Sequence, residues 1–91
     1  MNLSEEQLSE IQEMAGLFFS IQDISDNLEM NQGEVEDLLL DFQLKTGEFY
    51  RAYRRGWLMS EVKLRKSIEK AAENGSNPAQ QMMLSFQKQA Q

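Results

Sequence analysis

Apolar residues along the acidic first half of the chain recur at the spacing of an α-helix, and each run follows a residue able to cap it. Ser4 with Gln7 three residues on has the form of a capping box. Leu8, Ile11, Ala15 and Phe18 follow at helical intervals, which predicts a first helix from about Glu5 to Phe18. Ser20 stands ahead of Ile21, Ile24 and Leu28, a second helix, and Asn31 followed by Glu34 starts a third that carries Val35, Leu38, Leu39 and Phe42. Thr46 and Gly47 then interrupt the pattern. Thr46 is expected to cap a longer helix that runs towards Ala72 and stops at Asn74-Gly75, a helix-end signal. Asn77-Pro78 opens the last helix, because proline is favoured at the first helical position, and Ala79, Met82, Met83, Phe86 and Ala90 form its apolar stripe. With no alternating apolar and polar run, no internal repeat and no low-complexity tract, the fold class is predicted as all-α. A chain of 91 residues has room for one core, so a single domain over 1–91 is expected. Its parts are an acidic three-helix segment at 5–43, a long helix at 46–74 and a C-terminal helix at 77–90.

The long helix carries two faces. At 100° per residue, Tyr50, Tyr53, Trp57, Leu64, Ile68 and Ala71 share one sector, which reads as core with Trp57 buried, while Arg51, Arg54, Arg55, Arg65, Lys66 and Lys70 lie opposite. If the helix is continuous through Gly56, then Leu58, Met59 and Val62 project among the basic residues. Apolar side chains on a second face predict a second contact, with the last helix or with another subunit of a homo-oligomer.

Charge sharpens this picture. The formal net charge is -6, but eleven carboxylates and no cation lie between Met1 and Gln43, whereas nine Lys and Arg outweigh four Glu from Leu44 onward. Either the two halves pack against each other, within a chain or between copies, or the positive half meets a polyanion. The absence of Cys and His removes disulfides, thiolate chemistry, the usual general base and the commonest metal ligand. Glu6, Glu10 and Glu13, or Asp37 with Asp41, place carboxylates on one side of a helix where Mg²⁺ would be held loosely, but a solvated acidic face accounts for them. Gly33 and Gly47 stand alone, so there is no phosphate-cradling loop. No enzymatic activity, cofactor or metal site is predicted. The segment Met1 to Glu13 lacks the cations of a secretion signal, and the longest apolar run, Met14 to Phe19, is too short to span a bilayer. No membrane association is expected, and the chain is assigned to a cytoplasm, its own or a host cell's.

The stretch 21–40 follows the grammar of a helix-turn-helix, in which few side chains can enter the shared core of two steeply crossing helices. Ile24 and Leu28 supply the first helix, Met30 plugs the turn, Val35 and Leu38 supply the second, Ser25 is small where the helices approach, and Asn31 caps the second helix. The fragment from Ser20 to Leu40 resembles the N-terminal helix-turn-helix of bacteriophage small terminase subunits and related prophage DNA-binding proteins. That family continues into a basic helix of the form Ala-Tyr-x-x-Gly, then Leu-Arg, then a helix end of the form Asn-Gly-x-Pro or Gly-Asn-Pro. Here the chain has Ala52-Tyr53-Arg54-Arg55-Gly56, then Leu64-Arg65-Lys66, then Asn74-Gly75-Ser76-Asn77-Pro78. The resemblance implies recognition of double-stranded phage DNA at the start of genome packaging, in the cytoplasm of a bacterial host, by an oligomer that hands DNA to a large terminase ATPase.

Two features depart from the family's pattern. Glu29 stands where the turn usually has glycine, which predicts a looser turn. The second helix of the motif exposes Asn31, Gln32, Glu36 and Asp37, with Glu34 and Asp41 nearby, and those carboxylates would be repelled by phosphates flanking a major groove. Phosphate contacts are therefore expected from Arg51, Arg54, Arg55, Arg65 and Lys66, with Asn31 and Gln32 as secondary candidates for base contacts. The alternative is a helical interaction and oligomerisation module of prophage origin that does not bind DNA. In it the same cations pair with an acidic partner or a neighbouring subunit.

Overall fold

Ser4, Ser20 and Asn31 each turn a side-chain oxygen onto a backbone N–H three residues later, and so set the starts of the first three helices. In the computed structural model, which describes residues 2–91, these are α1 (Glu5–Gly16), α2 (Ile21–Asn27) and α3 (Gln32–Leu44), followed by α4 (Glu48–Glu73) and α5 (Asn77–Gln89). The fold is all-α, with five helices and no strand among the described residues. The capping boxes at Ser4 with Gln7 and at Asn31 with Glu34 are both closed in each direction.

The helix ends share one device. After α1, α2, α3 and α4 a residue in the left-handed region lets two successive N–H groups fold back onto orphan carbonyls. The bonds are Phe18 to Ala15 and Phe19 to Met14, Glu29 to Asp26 and Met30 to Ser25, Lys45 to Phe42 and Thr46 to Asp41, and Gly75 to Ala72 and Ser76 to Ala71. Only the last of these uses glycine. Phe18, Glu29 and Lys45 hold φ values of 64, 55 and 57°, a conformation that costs a residue with a Cβ about 1–2 kcal/mol. Glu29 thus keeps the tight geometry that glycine would supply, and the looser turn expected from its side chain does not occur.

Three boundaries differ from the sequence pattern. α1 stops at Gly16 rather than Phe18, because Phe18 has turned left-handed. Thr46 does not cap α4. Its N–H is drawn back to Asp41 in closing α3, and Gly47, at φ 90°, is the residue whose carbonyl accepts from Arg51 in the first turn of α4. Ser76, not Asn77, caps α5, which puts Pro78 at its second position.

Backbone contacts divide the chain into two units, Met1–Ser60 and Glu61–Gln91, with the division inside α4. In the first, Ile11, Ala15, Ile24, Leu38 and Phe49 are fully buried, one or two from each of four helices. Leu3, Leu8, Met14, Ile21, Leu28, Met30, Phe42, Ala52 and Tyr53 pack around them. Complete burial of an Ile, Leu or Phe side chain contributes about 1.5–3 kcal/mol, so Ile11, Ile24, Leu38 and Phe49 anchor the unit, with Ala15 filling the space between them. Ser25 is also buried and donates its hydroxyl to the Ile21 carbonyl at 2.8 Å, and no buried side-chain N or O atom among the described residues lacks a partner. Phe42 of α3 meets Phe49, Tyr50 and Tyr53 of α4 edge-on, with centroids 5.2–5.8 Å apart.

α4 runs unbroken through Gly56. This glycine is buried against the backbone of Gln12 in α1, where any Cβ would overlap the Gln12 carbonyl oxygen, so it serves a close helix crossing and not a break. The inward stripe of α4 in the first unit is consequently Phe49, Ala52, Tyr53 and Gly56. Trp57, expected in the core, is half-buried at the edge, T-stacked on Phe18 at 5.7 Å. In the second unit the end of α4 turns at Asn74–Ser76 into α5. Ala79 is its buried residue and Phe86 its half-buried aromatic, while Leu64, expected to face inward, is 48% exposed.

Candidate functional site

The long continuous helix decides where the cations point. With Phe49, Ala52, Tyr53 and Gly56 turned into the first unit, Arg51, Arg54 and Arg55 fall on the outward side of α4, and all three are exposed. No carboxylate lies within salt-bridge distance of these three guanidinium groups among the described residues. Arg54 lies over the Trp57 ring at 5.7 Å, which fixes its stem without occupying its hydrogen-bond donors. Arg51 and Arg55, one helical turn apart, line an open groove of about 500 Å³ between α1 and α4. Leu8 and Ala52 provide apolar lining, and Ser9, Gln12 and Glu48 complete it. The arrangement is a shallow cationic surface suited to an extended anion. Its one carboxylate, Glu48, is separated from Arg51 and Arg55 by three and seven positions along the helix.

In the second unit Lys66 is exposed and Arg65 is not free. The Arg65 Nε donates to Glu61 Oε1 at 3.0 Å, and its guanidinium lies 3.9 Å from the centre of the Phe86 ring. A planar cation held by a carboxylate one turn back and an aromatic face beneath it acts first as a structural clamp. The signal was present in the sequence as Glu61 four residues ahead of Arg65.

Asn31 and Gln32 are exposed at the start of α3, but their polar atoms have partners. Asn31 Oδ1 accepts from the Glu34 N–H at 2.8 Å, and Gln32 Nε2 donates to Glu36 Oε1 at 3.3 Å. A bidentate contact to an adenine edge needs the oxygen and the nitrogen of one amide together, so each residue would have to break a local bond first. Leu58, Met59 and Val62 are 40%, 45% and 49% exposed. The Met59 sulfur accepts from Gln12 Nε2 at 3.5 Å. Three features escape periodicity alone: the groove residues Ser9 and Gln12, the exposed Leu17-Phe18-Phe19 corner beside Trp57, and the outward leucines of α3.

Among the described residues no group of three or more acidic side chains is gathered to hold a metal ion, and no helix is long and apolar enough to cross a membrane. No family model matches the sequence, and neither a curated protein nor a solved structure matches the chain.

Proposed function

We propose that this chain is a non-catalytic double-stranded-DNA-binding protein of the small terminase kind. In this reading α2, the turn after it and α3 form a helix-turn-helix that serves as a scaffold, and α4 carries the DNA contacts. The observation that carries the reading is the outward row of Arg51, Arg54 and Arg55, exposed and without carboxylate partners among the described residues. Guanidinium groups so disposed neutralise phosphates and release counterions, which gives binding that is independent of sequence and weakens with salt. Lys66 adds a phosphate contact from the second unit, and Arg65, whose Nε is held by Glu61, contributes less than a full contact through its terminal nitrogens. Asn31 and Gln32 are secondary base contacts. Leu58, Met59 and Val62 serve self-association, and a large terminase ATPase would receive the DNA.

An anisotropy titration with labelled duplex tests this directly. Native chain is expected to bind and an Arg54→Glu, Arg55→Glu, Lys66→Glu variant to lose binding; equal titration curves for the two would end the DNA reading. A second reading, a protein-interaction module, is favoured by one specific feature. The outward face of α3 combines Glu36 and Asp37 with Leu39, Leu40 and Leu44, all exposed, a surface that suits a protein partner and not a phosphate backbone.

A further inference from the structure

Two helices of the first unit turn the same motif outward with opposite charge. On α3, Leu38 and Phe42 face the core. Leu40 and Leu44, each two residues further on, therefore project from the far side and are 54% and 61% exposed. Glu36 and Asp37 precede Leu40 by four and three positions, which brings both carboxylates beside it on the helix surface. On α4, Gly56 faces the core, and Leu58, two residues on, is turned away from it and 40% exposed. Arg54 and Arg55 precede Leu58 by the same four and three positions. The sequence even repeats the next step, with Val62 four residues after Leu58 as Leu44 is four after Leu40. None of Glu36, Asp37, Arg54 and Arg55 has an ion-pair partner among the described residues.

We infer that the outward face of α3 docks onto the outward face of α4 in a second copy of this chain. Laid side by side in the same direction, the two motifs place Leu40 against Leu58 and the Glu36–Asp37 pair against the Arg54–Arg55 pair. A one-turn slip in register would separate the charges from their partners. Both faces point away from one core, so a folded chain cannot close the contact on itself, and the occupant has to come from another molecule. Charge selects the copy: the α3 face would repel a second α3 face, and likewise for α4. The contact is heterologous, so each chain offers one donor face and one acceptor face, and assembly continues past two unless it closes. A single helix-on-helix contact is smaller than the roughly 1,200–2,000 Å² buried by stable interfaces, so association is reversible and depends on concentration. Exposed ion pairs contribute little each, and the leucines supply most of the attraction while the charges set the register.

The inference rests on the self-association reading above and competes with the DNA reading for Arg54 and Arg55. Sedimentation of the native chain over a concentration series, beside a Glu36→Lys, Asp37→Lys variant and an Arg54→Glu, Arg55→Glu variant, separates the cases. The native mass is expected to rise above one chain and each variant alone to stay at one chain. An equimolar mixture is expected to regain the native behaviour, because the reversed α3 of the first variant meets the reversed α4 of the second. Self-association that persists in either variant, or a mixture that fails to regain it, overturns the assigned faces and leaves oligomerisation standing. A native chain that stays at one chain throughout overturns both and leaves these faces to a foreign partner. Far-UV circular dichroism establishes that the variants are folded, and Leu40→Gln with Leu44→Gln gives an uncharged second route to the same loss.

Discussion

A side chain at Gly56 would run into the backbone of Gln12: its Cβ would overlap the carbonyl oxygen and lie 3.0 Å from the Cα. α1 and α4 therefore touch backbone to backbone at this point. Neighbouring Gly16 tightens the same crossing, since a Cβ there would lie 2.9 Å from the Ser60 hydroxyl and 3.2 Å from the Gly56 carbonyl oxygen. Alanine at position 56 gains about 1 kcal/mol of helix propensity but forces the helices apart, and overpacking of this kind costs about 1–3 kcal/mol or more. Backbone atoms cannot swing aside, so Gly56→Ala is expected to destabilise the first unit. Gly33 in α3 is the contrast. Its added Cβ meets only the Asn31 side-chain oxygen, at 3.4 Å, so Gly33→Ala is expected to raise stability by about 0.5–1 kcal/mol. Urea melts of the two variants should move in opposite directions.

Glu29 and Lys45 hold left-handed backbone that glycine would adopt without penalty. Glu29→Gly and Lys45→Gly are expected to raise stability by about 0.5–1 kcal/mol each, and Glu29→Ala should not, because alanine keeps the Cβ that makes the conformation costly. The midpoint in urea should shift without a change in slope. A destabilised Glu29→Gly chain would mean that the side chain is required at this turn.

Phe49 is 1% exposed and packs among buried residues of the first unit, whereas Trp57 is half-buried at the rim. Truncating a buried Phe costs about 3–5 kcal/mol, most of the margin of a small unit. Phe49→Ala is expected to unfold the first unit at room temperature, and Phe49→Leu to leave it folded. Trp57, the single tryptophan, reports on the change through its fluorescence. Trp57→Ala, followed by circular dichroism, should cost distinctly less than Phe49→Ala.

The same helix shows where the sequence stopped being informative. Ser4, Ser20 and Asn31 were readable as caps because capping depends on residues within one turn, and all three cap as expected. The core stripe of α4 was not readable. Phe49, Tyr50, Tyr53, Trp57 and Leu58 surround much of the helix, so periodicity supports more than one inward direction. The choice is made by α1, which meets α4 at Gly56 and turns Phe49 in, Trp57 to the rim and Leu58 out. Nor do Phe18 and Lys45 announce helix ends, since neither is a residue type that favours left-handed backbone. At the candidate site the outward direction of Arg51, Arg54 and Arg55 followed from helical spacing. Their freedom from carboxylates depends on how α1 to α3 pack, which no local pattern encodes.

The unequal standing of the cations yields a quantitative test of DNA binding. For duplex DNA the logarithm of the binding constant falls with the logarithm of salt concentration, by about 0.9 for each phosphate neutralised. Arg51, Arg54 and Arg55 carry no ion pair among the described residues, so each can give a full contact. Replacing all three with Gln should lower the slope by roughly 2–3. Arg65 is held by Glu61 at 3.0 Å and lies over Phe86, so a phosphate must compete with a carboxylate already in place. Arg65→Gln should therefore change the slope by less than one full contact, while Lys66→Gln should remove about one. Measuring affinity at several salt concentrations for native chain and these variants gives each slope. Were Arg65→Gln to lower the slope as much as the triple replacement, phosphates would be engaging the second unit and not the outward row on the first.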